Sequence, residues 1–228
     1  MIRFYFNAAP NPMKIALFLE EAGLAYTPVP VDTRRGQQHA AEFRAVNPNA
    51  KVPAIVDDGV TVFDSSAILL YLAEKTGRFL PPAGPVHRGE MLSWLMFVAS
   101  GVGPYSGQSV HFRHFAPKDE YAINRFGYEV ERHYRLLDER LAERPYLLGE
   151  TYTIVDMSFW GWARMLPFVL GEQDAWENFP NAKRLLDEIS ARPAAERAEA
   201  LKTSFTWKQE MDEEARGHMF PQNKRLQG

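Results

Sequence analysis

The chain of 228 residues contains no cysteine. That excludes disulfide cross-links, zinc–thiolate sites and a cysteine nucleophile. It also lacks an excess of either charge: 26 Lys and Arg stand against 29 Asp and Glu, a formal net charge of -3. Such a balance gives no electrostatic reason to expect nucleic acid or an anionic membrane as partner. No apolar run approaches the ~20 residues that cross a bilayer. The opening MIRFYFNAAPNP turns polar too soon to predict a secretory signal. Internal repeats and low-complexity tracts are missing as well. What remains is a chain that is 46% hydrophobic, enough to fill one large core or two small ones, with a cytoplasmic location as the default expectation.

The first eighty residues alternate strand and helix signals. IRFYF (Ile2 to Phe6) is rich in β-formers, and Asn11-Pro12 opens MKIALFLEEAG, whose apolar residues have helical spacing up to Gly23. YTPVPVD is a second strand whose prolines predict an edge. Gln38 to Val46 is a weak helix. KVPAIV and VTVF flank Asp57-Asp58-Gly59, a hairpin signal. Ser65 is expected to cap SAILLYLAEKTG, which Gly77 stops. The predicted order is β-α-β-α-β-β-α over residues 1–80. A Pro/Gly-rich linker, 81–87, leads to long helices over 88–201. Helical pattern runs from Glu90 to about Phe115, interrupted at Gly101, Gly103 and Pro104, and again from Tyr121 to about Leu141. Thr153-Ile-Val-Asp156 is a capping box before an aromatic-rich helix, with Tyr152 and Met157 at the positions of a hydrophobic staple. Phe179 to Ser190 and Pro193 to Leu201 complete the set, and 202–228 is a polar arm or frayed tail.

One stretch conflicts with its own pattern. NPNAKVPAIV reads as a strand from Val52 to Val56, yet Pro53 has no N–H for a ladder. The residues alone leave two readings open: a cis proline, or a trans proline at the strand's first residue.

A β-α-β-α-β-β-α unit with proline entering its third strand resembles the thioredoxin-like plan. Joined to a helical domain, it resembles the cytosolic glutathione S-transferases over roughly Ile2 to Leu201. The motifs are KVPAIV followed by FDSSAILLYLAEKTG, then YTIVDMSFWGW. NPNAKVPAIVD, SVHFRHFAP and YAINRFGYEVERHYRLLDERL are further similar to the bacterial Nu class. The resemblance implies an α/β N-terminal thioredoxin-like domain followed by an all-helical one. It implies a homodimer that binds glutathione or glutathione disulfide and reduces disulfides without a protein cysteine. The lack of cysteine fits that class and excludes the glutaredoxin, omega and beta modes, which place a cysteine on the first helix.

The resemblance makes Pro53 cis and gives the Val52 backbone N–H and C=O to glutathione's cysteinyl unit. Asn11, at the start of the first helix, becomes the catalytic candidate, donating its amide N–H to the sulfur near the helix's positive end. Its plain alternative is an N-cap followed by Pro12. The class usually carries a hydroxyl residue two positions earlier, where this chain has Ala9; Tyr5 is a substitute donor, though its place in IRFYF reads as a strand face. Asp64 is given the γ-glutamyl amine and Ser65 its carboxylate, at a helix N-terminus suited to anions. Ser65 as a simple cap is the alternative, and relatives commonly have Glu at the Asp64 position. Lys51 and Gln38, or its neighbour Gln37, are given the glycyl end, with Arg34 and Arg35 adding positive charge.

Tyr105, Gln108, His111 and Arg132 are candidates for the second wall of the site. His111 and His114 have helical spacing, but no third metal ligand is evident, and no metal is expected. Asp156 reads as structural. The expected activity is attack by bound glutathione thiolate on a disulfide or small electrophile. The alternatives are a glutathione-binding module with little turnover, which Ala9 favours, and a lyase or isomerase that uses glutathione as cofactor.

Overall fold

A computed structural model describes residues 1–226. Four strands form one mixed sheet in the order β2-β1-β3-β4. β1 (Ile2–Phe6) lies parallel to β2 (Tyr26–Pro30) and antiparallel to β3 (Ala54–Asp57), which turns back into β4 (Val60–Phe63). β2 sits at an edge, where Pro28 and Pro30 remove no needed donor. Asp58 and Gly59 have φ of 48° and 91°, the left-handed pair of a tight hairpin.

α1 (Pro10–Ala22) is buried from Pro12 to Leu19 because it lies between the sheet and the helical domain. α2 (Ala41–Val46) is short, and the expected helix from Gln38 is split by a separate 3₁₀ turn at Gln37–His39. α3 (Ser65–Thr76) closes the N-terminal unit.

The helical domain begins with α4 (Pro85–Phe97), which starts inside the expected linker. The predicted interruption at Gly101, Gly103 and Pro104 is not a break. Two π-helical turns, Val98–Val102 and His111–Phe115, flank α5 (Gly103–Val110) in one continuous helical run. The Gly103 N–H reaches the Val98 carbonyl, a wide turn that accommodates Pro104 without stopping the helix. Gly101 serves packing: an added Cβ would stand 2.3 Å from His133 Nε2.

α6 (Glu120–Leu141) is amphipathic, whereas α7 (Ile154–Ala163) is buried at every residue. α8 (Leu166–Leu170), α9 (Pro180–Ser190) and α10 (Pro193–Ala200) follow. The capping box at α7 forms as the sequence predicts. Asp156 accepts from Thr153 N at 2.8 Å, Thr153 Oγ1 at 3.1 Å and Leu147 N at 2.8 Å. Burial nonetheless raises its pKa from 3.8 to about 6, against those bonds.

One apolar core runs through both halves, from Phe4 and Leu17 to Phe159 and Ile189. Arg197 pairs with Glu20 at 2.7 Å, and Arg192 pairs with Glu21, tying α10 and the preceding turn to α1. After α10 the chain is packed rather than frayed: Phe205 and Trp207 meet the buried Phe6 ring edge-on, and α11 (Glu213–Met219) lies against the Thr33–Arg35 turn.

Candidate functional site

β1 ends at Phe6, and the chain turns through Asn7, whose Oδ1 accepts from Ala9 N at 3.0 Å. α1 then starts at Pro10. Its N-cap is Ala9, which provides no side-chain acceptor, so Asn11 lies inside the first turn and is not the cap. The Asn11 side chain is held elsewhere: its Oδ1 accepts from Trp162 Nε1 on α7 at 3.1 Å. An indole N–H only donates, so this bond fixes which end of the amide faces Trp162 and turns the NH₂ away from it. No acceptor among the described residues takes that NH₂.

The Val52–Pro53 bond is cis. Pro53 lies one residue before β3, so no ladder position needs its missing N–H. Asn47 is 1% exposed and organises the preceding loop, donating from Nδ2 to the Lys51 carbonyl and accepting from Asn49 N at 3.0 Å. Val52 precedes the strand pairing, and its N–H and C=O find no partner among the described residues. The Lys51 side chain is exposed.

Asp64, not Ser65, caps α3: its Oδ1 accepts from Ser66 N at 2.9 Å and Ala67 N at 3.2 Å. Ser65 is therefore the first helical residue, 6% exposed. Asp64 has φ 73° and ψ 128°, a backbone conformation that L residues rarely hold. The exposed carboxylate keeps Oδ2 unengaged among the described residues.

Gln38 is placed differently. It is 6% exposed, and its Nε2 donates to the Thr33 carbonyl at 3.2 Å and to the His218 carbonyl of α11 at 3.1 Å. Gln37 accepts from Asp32 N at 2.7 Å. Arg34 donates to the Lys208 carbonyl at 3.0 Å, Arg35 donates to Asp32 at 3.2 Å, and Asp32 also accepts from Lys208 N at 2.7 Å. This loop binds the C-terminal arm. Asn11, Val52 and the Asp64–Ser65 helix start keep unengaged groups, while the amide nitrogen of Gln38 is already taken.

A cavity of about 440 Å³ opens beside the Asn7–Pro10 turn. Its apolar lining includes Trp162, Val110, Phe115, Phe168 and the arm's Trp207. On α5 it is Gly107 and Val110 that face it, so the expected second wall is rotated. Tyr105 packs on Phe126 and on His133 at 5.1 Å. Arg132 binds Glu129 at 2.9 Å on α6, in the cluster where α5 meets α6. Gln108 is exposed. His111 packs against Phe220 at 4.8 Å, and burial lowers its pKa. His114 stacks on Phe168 at 4.0 Å. No group of three or more His, Asp or Glu gathers as a metal site among the described residues.

Sequence reasoning missed Trp162, which looked like one more core aromatic, and Trp207, hidden in a polar segment. It also missed Lys14, which sits between Met13 and Ile15 in the run of buried α1 residues and is itself 1% exposed. A charged residue inside an apolar helix face was a readable signal.

Comparison with known proteins gives matches along most of the chain. Residues 3–74 match the model of the glutathione S-transferase N-terminal domain, and residues 98–193 match that of the C-terminal domain. The disulfide-bond oxidoreductase YfcG of Escherichia coli is 42% identical, over 87% of this chain and 94% of that protein. A glutathione transferase family member from Pseudomonas fluorescens, solved with two glutathione bound, is 38% identical with a TM-score of 0.82. That alignment covers 86% of this chain and 91% of the other. A glutathione transferase from Pseudomonas putida, solved with one glutathione disulfide bound per subunit, is 34% identical with a TM-score of 0.81, covering 86% and 90%.

Proposed function

Since the chain belongs to the glutathione S-transferase family, we propose that it is a glutathione-dependent disulfide reductase that works without a thiol of its own. The observation that carries this reading is the set of unengaged donors around one helix start: the Asn11 amide, oriented by Trp162, beside the first turn of α1. Val52 would pair its N–H and C=O with the cysteinyl unit. Asp64 and Ser65 would take the γ-glutamyl amine and carboxylate, and Lys51 the glycyl carboxylate. Gln38 reaches that end only if the His218 carbonyl releases it.

The chemistry is thiol–disulfide exchange. Bound glutathione loses its thiol proton to solvent, and the thiolate attacks one sulfur of a disulfide held in the apolar cavity. A glutathione–substrate mixed disulfide forms and the other half leaves as thiolate. A second glutathione thiolate then attacks the mixed disulfide. The products are glutathione disulfide and two substrate thiols, each thiolate taking up one proton. Asn11 stabilises the attacking sulfur by a hydrogen bond, and the site orients the partners. The same site chemistry would accept a small electrophile in place of the disulfide.

The protein is read as a homodimer of the reducing cytoplasm, where glutathione is abundant. Exposed apolar groups on β4 (Val60, Phe63) and α4 (Val86, Met96) support the dimer, and sedimentation velocity tests it. The test of activity is reduction of a small disulfide by glutathione, with glutathione disulfide counted as product. Turnover that falls roughly 10-fold to 100-fold in Asn11→Ala supports the assignment. Binding of glutathione with no turnover in the unaltered protein would make it a binding module, the reading that Ala9 favours.

A further inference from the structure

Lys14 is 1% exposed, and no side-chain or backbone acceptor among the described residues bonds its ammonium. Helical side chains lean toward the N-terminus of their helix. A Cβ added to Gly161 of α7 would stand 2.5 Å from Lys14 Cγ, 3.1 Å from its Cε and 2.7 Å from the Pro10 carbonyl oxygen. The Lys14 stem therefore packs on Gly161 beside the Pro10 carbonyl, in the first turns of α1. Asn11 precedes Lys14 by three residues on the same face and is held by Trp162, the neighbour of Gly161.

The start of α1 has no side-chain cap and no acidic residue in its first turn. A lysine held within the first turns of α1 adds charge of the same sign as the helix end, which costs stability unless an anion is present. Charged groups on the elements packed around α1 include Arg3 on β1, Glu74 and Lys75 on α3, Asp156 on α7, and Glu196 and Arg197 on α10. Of the nearby carboxylates it is Asp64, the α3 cap, that favours the Lys14 charge against burial. Burial brings the Lys14 pKa down from 10.5 to about 8, so it is still a cation at neutral pH.

We propose that Lys14 is a further residue of the reaction: its buried ammonium stabilises, through space, the thiolate of glutathione bound at the start of α1. This rests on the glutathione reading above. It names a source of thiol activation that is neither the Asn11 amide nor the helix dipole.

The experiment follows the thiolate absorbance of bound glutathione against pH in the unaltered protein, Lys14→Met and Lys14→Gln. Calorimetry gives the affinity of each. The expected result is a thiolate midpoint raised by about one pH unit in the variants and turnover near neutral pH down about tenfold, with affinity changed by less than about threefold. Two variants of unlike polarity are used so that one that fails to fold does not decide the matter. A midpoint that ignores the substitution overturns the proposal. So does weakened binding with an unmoved midpoint, because Lys14 would then serve only the Asp64 end. If the unaltered protein binds no glutathione, the functional reading fails and takes the proposal with it. If it binds and turns over while the midpoint ignores Lys14, this inference alone fails.

Discussion

At the scale of single residues, the buried Lys14 makes a prediction that needs no ligand. Its folded pKa of about 8 lies below the ordinary 10.5, so the unfolded chain holds this proton more tightly. Folding therefore carries a cost at neutral pH that fades as pH rises from about 8 to 10.5. Lys14→Met should stabilise the protein by up to about 3 kcal/mol near neutral pH. It should also remove a rise in stability that the unaltered protein shows across that window. Denaturant titrations at several pH values read both, and equal stability of the two proteins at neutral pH would contradict the account.

Trp162→Phe keeps an aromatic side chain and removes the indole N–H that bonds Asn11 Oδ1. The amide is then free to flip, and kcat should fall roughly threefold to tenfold with little change in KM for glutathione. Steady-state kinetics decides it. The place of Asn11 near a helix start was legible in the sequence. Its orientation was not, because Trp162 lies 151 residues away in sequence and spacing says nothing about such a contact.

At the scale of elements, the cap of α7 is the clearest case in which local sequence determines local structure. Thr153 and Asp156 close the box as their spacing predicts. Asp156→Ala releases the Thr153 and Leu147 N–H groups inside the core and should cost about 2–4 kcal/mol, measured by chemical denaturation. A loss below about 0.5 kcal/mol would contradict its structural role. The pH dependence has a definite sign. Burial raises this carboxyl from 3.8 to about 6, so the native state holds the proton more tightly, and the Asp156 contribution to stability falls as pH rises through that interval.

Helix starts were harder to place. Asn11 and Ser65 both look like caps, yet the helices begin at Pro10 and behind Asp64. Pro10 fits a first helical position with no N–H to satisfy, and Asp64 caps as well as serine does. The Gly101–Pro104 stretch reads as a break because glycine and proline usually end helices. Here a π turn absorbs the proline, and the glycine lets His133 approach.

At the scale of the whole molecule, the segment that composition marked as a polar tail ties the two halves together. It puts Trp207 on Phe6, gives its Lys208 carbonyl to Arg34, and sets Phe220 against His111. Deletion of residues 203–228 should raise KM for the disulfide roughly threefold to tenfold by opening the cavity. Glutathione affinity should hold or improve, because Gln38 regains its donor. Kinetics with calorimetry separates the two effects, and an unchanged disulfide KM would count against the cavity as the second subsite. The succession of strands and helices along the chain, and the helical half, were readable from periodicity and turn signals. The arm's docking was not, since it depends on isolated aromatics that meet partners far away in the chain.

A chain with no cysteine has to ionise a borrowed thiol. Calorimetric titration with reduced glutathione, near neutral pH and in two buffers of different ionisation enthalpy, tests it most directly, because the heats then count protons released on binding. A free thiol with pKa about 8.5 is mostly protonated there. Saturable binding with release of a large fraction of one proton per glutathione is expected. Binding with no release of protons, or no binding, would contradict it.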